Sequence, residues 1–154
     1  MRLAVINGPN LNLLGVREPS IYGTETLSDV ERRLHDVARE LGASLEFVQR
    51  NGEGELVEYI HGLRGRMDGA VVNAGAYSHS SLAIRDALTG VSVPFVEVHI
   101  TNVYSREPER RHSMLAPAAV GVVCGLGTLG YDLALRGLVA KLSARAPQDS
   151  VARV

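Results

Sequence analysis

Five short runs of β-branched and other apolar residues recur along the chain: LAVI at 3–6, LEFV at 45–48, GAVVN at 69–73, VPFVEVHI at 93–100 and AVGVVC at 119–124. Runs of this length bounded by turn residues predict buried strands. Between them the apolar positions change to the three-and-four spacing of amphipathic helices. Leu27, Val30, Leu34, Val37, Ala38 and Leu41 form the first stripe, with Thr26 or Ser28 as N-cap and Gly42 as stop signal. Leu56, Val57, Ile60 and Leu63 form a second, and Leu82, Ala83, Ala87 and Leu88 a third. Leu129, Leu133, Leu138, Val139 and Leu142 form the last. Beyond it RAPQDSVARV, at 145–154, reads as a flexible tail, which leaves 1–144 as one domain.

Strand and helix alternate five times and no hairpin dipeptide joins successive strands. The pattern predicts an open, doubly wound α/β domain of flavodoxin-like order: a five-stranded parallel sheet with helices on both faces. Such sheets bind ligands outside the carboxyl ends of their strands. Attention therefore falls on the segments immediately after each run. After the first comes NGPNLNLLGVREPSIYG, about twenty residues before helical spacing begins, where about two to six are usual. After the third comes NAGAYSHSS, after the fourth HITNVYSREPERRHS, and after the fifth CGLGTLG. QRNGEGE, after the second, reads as a plain surface connection.

Composition narrows the function more by exclusion than by suggestion. Lys and Arg total 16 against 17 Asp and Glu, so the net charge of −1 gives no pull toward nucleic acid or anionic membrane. An anion site would have to be local. The single cysteine, Cys124, excludes an internal disulfide, fits a reducing compartment and reads as core packing. The opening apolar stretch is too short for a signal sequence, and no run reaches membrane-spanning length. A cytoplasmic protein is expected.

The fourth strand carries the sharpest local signal. Side chains alternate along a strand, so Val96, Val98 and Ile100 should face one way and Phe95, Glu97 and His99 the other. A carboxylate in a buried strand needs a partner; His99 is in reach, and the pair would fix one ring nitrogen and leave the other to move a proton. Arg106, Arg110 and Arg111 come directly after, with forked groups suited to a carboxylate or phosphate. Asn73 and His79 could hydrogen-bond a polyol. GLGTLG, 125–130, has the dinucleotide-fingerprint spacing, but the chain frays where a further strand should follow and Asp149, at about the right distance, falls in the tail, so its glycines read instead as room for helix-to-sheet approach. No H-E-x-x-H, H-x-H or cysteine cluster supports a metal site, and no G-x-S-x-G elbow is present. What remains is acid/base chemistry on a small anionic substrate. In the long first segment Leu11, Leu13 and Leu14 would gain by closing over a ligand as a lid. Arg17 near Tyr22 would favour a phenolate over a phenol that ordinarily titrates near about 10.

Four stretches in this order and spacing, NGPNLNLLGVREPSIYG, NAGAYSHSS, EVHITNV with its R-E-x-x-R-R-H-S, and GLGTLGYDLALR, resemble the type II 3-dehydroquinate dehydratases of the shikimate pathway, over roughly Arg2 to Leu142. The resemblance implies a flavodoxin-like subunit of a cofactor-free homododecamer built from four trimers. It also implies reversible anti elimination of water from 3-dehydroquinate through an enolate. By position, Tyr22 matches the base and Arg17 the lid arginine that assists it. Asn10 matches the residue holding the water at the enolate oxygen, and His99 the acid, with Glu97 orienting it. Asn73, His79 and Arg110 match groups on the substrate hydroxyls, while Ile100 and Thr101 match the carboxylate grip. Arg106 matches an arginine that tunes the tyrosine, and Asp86 one reaching in from a neighbouring subunit. Thr101 stands where serine is common and Ala74 where proline is frequent, and neither change removes a proton-transfer group. The competing reading is a non-catalytic flavodoxin-like module for a flavin or phosphate. It would want a Ser/Thr/Gly-rich phosphate loop where Pro9 and the leucines stand.

Overall fold

A computed structural model describes residues 1–145 of the chain, so all but the first residue of the expected C-terminal tail lies outside the described residues. Strands β1 (Arg2–Asn7), β2 (Ser44–Gln49), β3 (Gly69–Asn73), β4 (Phe95–His99) and β5 (Gly121–Cys124) coincide with the five apolar runs. They pair in parallel in the order β2-β1-β3-β4-β5. The long helices are α2 (Leu27–Glu40), α3 (Glu53–His61), α4 (Leu82–Val91) and α5 (Leu129–Arg145), and a single turn, α1 (Pro19–Tyr22), precedes them. Thr26 rather than Ser28 caps α2, in a reciprocal pair with Asp29.

The central strands β1, β3 and β4 feed two cores, as their alternation demands. Leu3, Val5, Val71, Val96 and Val98 pack against Val30, Leu34, Leu135 and Leu138 of α2 and α5. Ala4, Ile6, Ala70, Val72 and Phe95 pack against Leu56, Ile60, Ile84 and Leu88 of α3 and α4. A sheet covered on both faces leaves only its ends open, which directs the polar loops to the carboxyl edge.

Two helical stripes are rotated from the expected ones. On α4 the buried positions are Ile84, Ala87, Leu88 and Val91, while Leu82 is exposed. On α5 they include Tyr131, Ala134, Leu135 and Leu138, while Leu129 and Leu133 face outward. Both helices carry apolar residues on more than one face, and spacing alone does not say which face meets the sheet. Gly130 settles α5: a Cβ there would lie 3.4 Å from Val123 and 3.7 Å from Val98, so this glycine does admit close helix-to-sheet approach. Gly125 and Gly127 instead make the turn before the helix, with φ of 87° and 62°.

The long segment after β1 is partly folded rather than an open flap. A 3-10 turn at Leu11–Leu13 buries Leu11 and Leu14 in the α2/α5 core, which leaves Leu13 43% exposed and Val16 77% exposed. Arg33 of α2 anchors the far end of the segment. Its Nε bonds Asp132 at 3.0 and 3.1 Å, its Nη1 pairs with Glu25, and its Nη2 donates to the Thr128 carbonyl.

Candidate active site

The carboxyl edge of the sheet holds a cavity of about 210 Å³. All the expected site residues line it except Glu97 and Asp86. Glu97 stands behind its wall, fully buried, and Asp86 lies on the exposed side of α4 beside a separate groove against α3. Arg111 also stays outside and donates from Nε to the Arg106 carbonyl at 2.7 Å.

Strand β4 ends in the expected pair. Its alternation puts Glu97 and His99 on one side, and His99 Nε2 lies 2.6 Å from Glu97 Oε1. The same carboxylate oxygen accepts from the Ser113 hydroxyl at 2.6 Å, while Oε2 is buried with no hydrogen-bond partner among the described residues. His79 stacks against His99, with ring centroids 5.9 Å apart and planes 20° apart. Burial pulls the His79 imidazole below its ordinary pKa, His99 and Arg110 add to that, and the His112 carbonyl at its Nδ1 opposes it.

Tyr22 ends α1 with two cations on it. Arg106 donates from Nη1 to the phenol oxygen at 2.9 Å and stands 5.5 Å from the ring centroid. Arg17 lies 5.7 Å from the ring centroid and pairs with Glu18 at 3.6 Å. The same Arg106 nitrogen reaches Thr101 Oγ1 at 3.4 Å. Arg106 thus links the segment after β4 to the turn bearing Tyr22, 84 residues earlier.

Asn10 takes the left-handed conformation at the start of the 3-10 turn, which asparagine tolerates better than most residues. Its backbone N–H donates to Asn51 Oδ1 at 3.0 Å, and Asn51 also accepts from Gln49 Nε2 and, at its carbonyl, from the Tyr77 hydroxyl. The segment after β2 is therefore a brace for the site rather than a plain connection. Asn73 is set from behind: its Nδ2 donates to the Tyr131 hydroxyl at 2.8 Å, and that hydroxyl donates to Asn7 Oδ1 at 2.7 Å. Burial pushes the Tyr131 hydroxyl far above the usual tyrosine pKa, which keeps its proton available to Asn7. Asn51, Ser113 and Tyr131 escaped the sequence reading because each acts through another residue. Only Ser113 had a visible signal, as the last letter of R-E-x-x-R-R-H-S.

Adjacent carbonyls at the end of β4 turn the same way. His99 O accepts from Gly125 N–H at 3.2 Å and Ile100 O from Gly127 N–H at 2.9 Å. The peptide bonds among the described residues are all trans, so the N–H groups of Ile100 and Thr101 point away from that turn. Among the described residues no three His, Cys, Asp or Glu side chains gather in a metal-ligand arrangement.

Comparison with known proteins agrees with this geometry. The family model described as Dehydroquinase class II matches residues 1–139. The chain belongs to this family. It is 58% identical over 142 residues to a 3-dehydroquinate dehydratase of Gemmatimonas aurantiaca, covering 92% of this chain and 93% of that protein. Among solved structures, the type II dehydroquinase of Butyrivibrio crossotus matches with a TM-score of 0.87 at 41% identity, covering 90% of this chain and 97% of that one. That of Propionibacterium acnes matches with a TM-score of 0.87 at 42% identity, covering 90% and 96%. The class II dehydroquinase fold thus accounts for the flavodoxin-like sheet order.

Proposed function

We propose that the chain dehydrates 3-dehydroquinate to 3-dehydroshikimate, as a hydro-lyase of the shikimate pathway, with Tyr22 as base and His99 as acid. The observation that carries this reading is that the Arg106–Tyr22 bond and the Glu97–His99 pair line or back one cavity. A guanidinium on a phenol oxygen favours the phenolate, which takes a proton from the carbon next to the ketone. The C–H electron pair moves to the carbonyl oxygen and forms an enolate, near which Asn10 holds a water. Collapse of the enolate breaks the C–O bond on the opposite face. His99, as imidazolium paired with Glu97, gives its proton to the departing hydroxyl, and water leaves. The phenol and the neutral imidazole then exchange a proton to reset the site.

Asn73, His79 and Arg110 take the substrate hydroxyls. The paired N–H groups of Ile100 and Thr101, with the Thr101 hydroxyl, take its carboxylate. Arg17 is assigned to lid closure over Tyr22. A lysine Schiff base is disfavoured by composition: Lys141 is the only lysine in the sequence and sits exposed on α5. The catalytic unit is residues 1–144, and it needs neither metal nor nucleotide. Exposed Val122, Leu126, Leu129 and Leu133 around β5 and α5 favour burial against further copies, and Asp86 would enter a neighbour's site in a dodecamer of four trimers.

The test is direct. Addition of 3-dehydroquinate to the purified protein should raise an enone absorbance, unchanged by EDTA or by borohydride pretreatment. A flat trace, or loss of activity with either reagent, would overturn the assignment.

A further inference from the structure

We propose that the dipeptide His112–Ser113 is a positioning element for this chemistry, fixing which ring nitrogen of His79 and of His99 carries the proton. The proposal rests on the reading of His99 as the acid. The backbone holds the dipeptide in place, because Met114 N–H donates to the Ser78 carbonyl at 2.7 Å and so locks the loop after β4 onto the turn bearing His79. A carbonyl oxygen only accepts, so His79 Nδ1, at 2.8 Å from His112 O, must carry hydrogen. When His79 is neutral its Nε2 is then a bare acceptor, which suits a substrate hydroxyl that donates.

Ser113 is equally constrained. Its Oγ accepts the N–H groups of Leu115 at 3.1 Å and Ala116 at 3.0 Å, which occupies both lone pairs. Its one proton is left for Glu97 Oε1 at 2.6 Å. That oxygen therefore accepts twice, from Ser113 and from His99 Nε2. Nε2 is thus the protonated nitrogen of neutral His99, and Nδ1 is the one that gains and gives the catalytic proton. Because Glu97 Oε2 has no hydrogen-bond partner among the described residues, the hydrogen bonds that steady the carboxylate converge on Oε1. Removing the serine donor would make Glu97 hold the imidazolium proton harder and turn His99 into a weaker acid.

The charged and titratable groups around His99 are Glu97 on its own strand and the stacked His79. Arg106 and Arg110 come after it in the chain, Arg17 and Tyr22 come from the lid segment, and Cys124 is its registered neighbour on β5. None of the others bonds Nε2 in place of Glu97, so the effect of Ser113 should be specific to this pair.

Ser113→Ala should lower kcat about tenfold, in line with one charge-assisted hydrogen bond, with little change in KM. The limb of the pH–rate profile that falls at high pH should move to higher pH. Ser113→Thr, which keeps Oγ, should restore both. Nitrogen NMR of the imidazoles in the unmodified protein, which needs no substitution to fold, should show neutral His79 protonated at Nδ1 and neutral His99 at Nε2. The opposite tautomer at either ring overturns the proposal, as does a folded Ser113→Ala protein with the parental kcat and pH profile. His99→Asn separates the two readings. If it retains full activity, the acid assignment falls and this proposal with it, whereas an inactive His99→Asn beside an unaffected Ser113→Ala removes the proposal alone.

Discussion

Arg106 donates from Nη1 to the Tyr22 hydroxyl at 2.9 Å, while its Nε stands 3.5 Å from Glu107. Burial alone would lower the pKa of this guanidinium, yet the net direction is upward, because the Tyr22 oxygen and Glu107 both hold its charge. The coupling is mutual: whatever the phenolate does for the cation, the cation does for the phenolate. Charge-assisted hydrogen bonds contribute about 1.5–3 kcal/mol, so Arg106→Ala should slow kcat/KM by about ten- to a hundred-fold. Arg106→Lys should fall between the two, since it keeps the charge but not the planar fork. Steady-state kcat/KM of the three proteins, measured at one pH, checks this ranking.

Tyr22→Phe keeps the ring that Arg17 and Arg106 stand over and deletes only the oxygen. Turnover should fall to the detection limit while the melting temperature stays within a few degrees, because the lost bond lies at a partly exposed position. Stopped assays with thermal unfolding on the same sample distinguish loss of the base from loss of the fold.

The sheet was readable because every strand is a contiguous apolar run and parallel order arises from alternation with helices. Residues that touch the cavity were readable too, since Asn73 and His99 end their strands, His79 follows β3 closely and Tyr22 lies in the overlong first segment. What resisted was anything decided by a second contact. Leu129 and Leu133 look like core residues until Gly130 fixes the rotation of α5. Leu11 and Leu14 look like lid residues until the 3-10 turn carries them into the core. Asn51 and Ser113 are polar letters in loops, and their partners at 10 and 97 become neighbours only once the strands pair.

His79 gives a pH signature. Burial lowers its pKa from the ordinary 6.5, so between the folded and unfolded values the unfolded chain binds more protons. Stability should then be fully present above about pH 6.5 and decline as pH falls through and below that value toward the folded pKa. His79→Gln should flatten this part of the curve. Urea midpoints of both proteins between pH 7.5 and about pH 5 test the sign, and a parental curve that rises on acidification would contradict it.

Tyr131 offers the sharpest separation of binding from chemistry. It is fully buried, 58 residues from Asn73 and 124 from Asn7, and its hydroxyl lies between the two amides. Tyr131→Phe keeps the ring in the core but leaves Asn73 Nδ2 and Asn7 Oδ1 each short of a partner. An unpaired buried polar group costs about 1–3 kcal/mol, and in a domain of this size each kcal/mol lowers Tm by about 2–4 °C. Asn73 would remain near the cavity, since Gly75 N–H still donates to its Oδ1 at 3.2 Å, but its amide would be held at one end only. KM should therefore rise several-fold while kcat falls less, because Tyr22 and His99 are untouched. A drop confined to kcat would place Tyr131 in the proton path instead, and an unchanged KM with a lowered Tm would reduce it to a core residue.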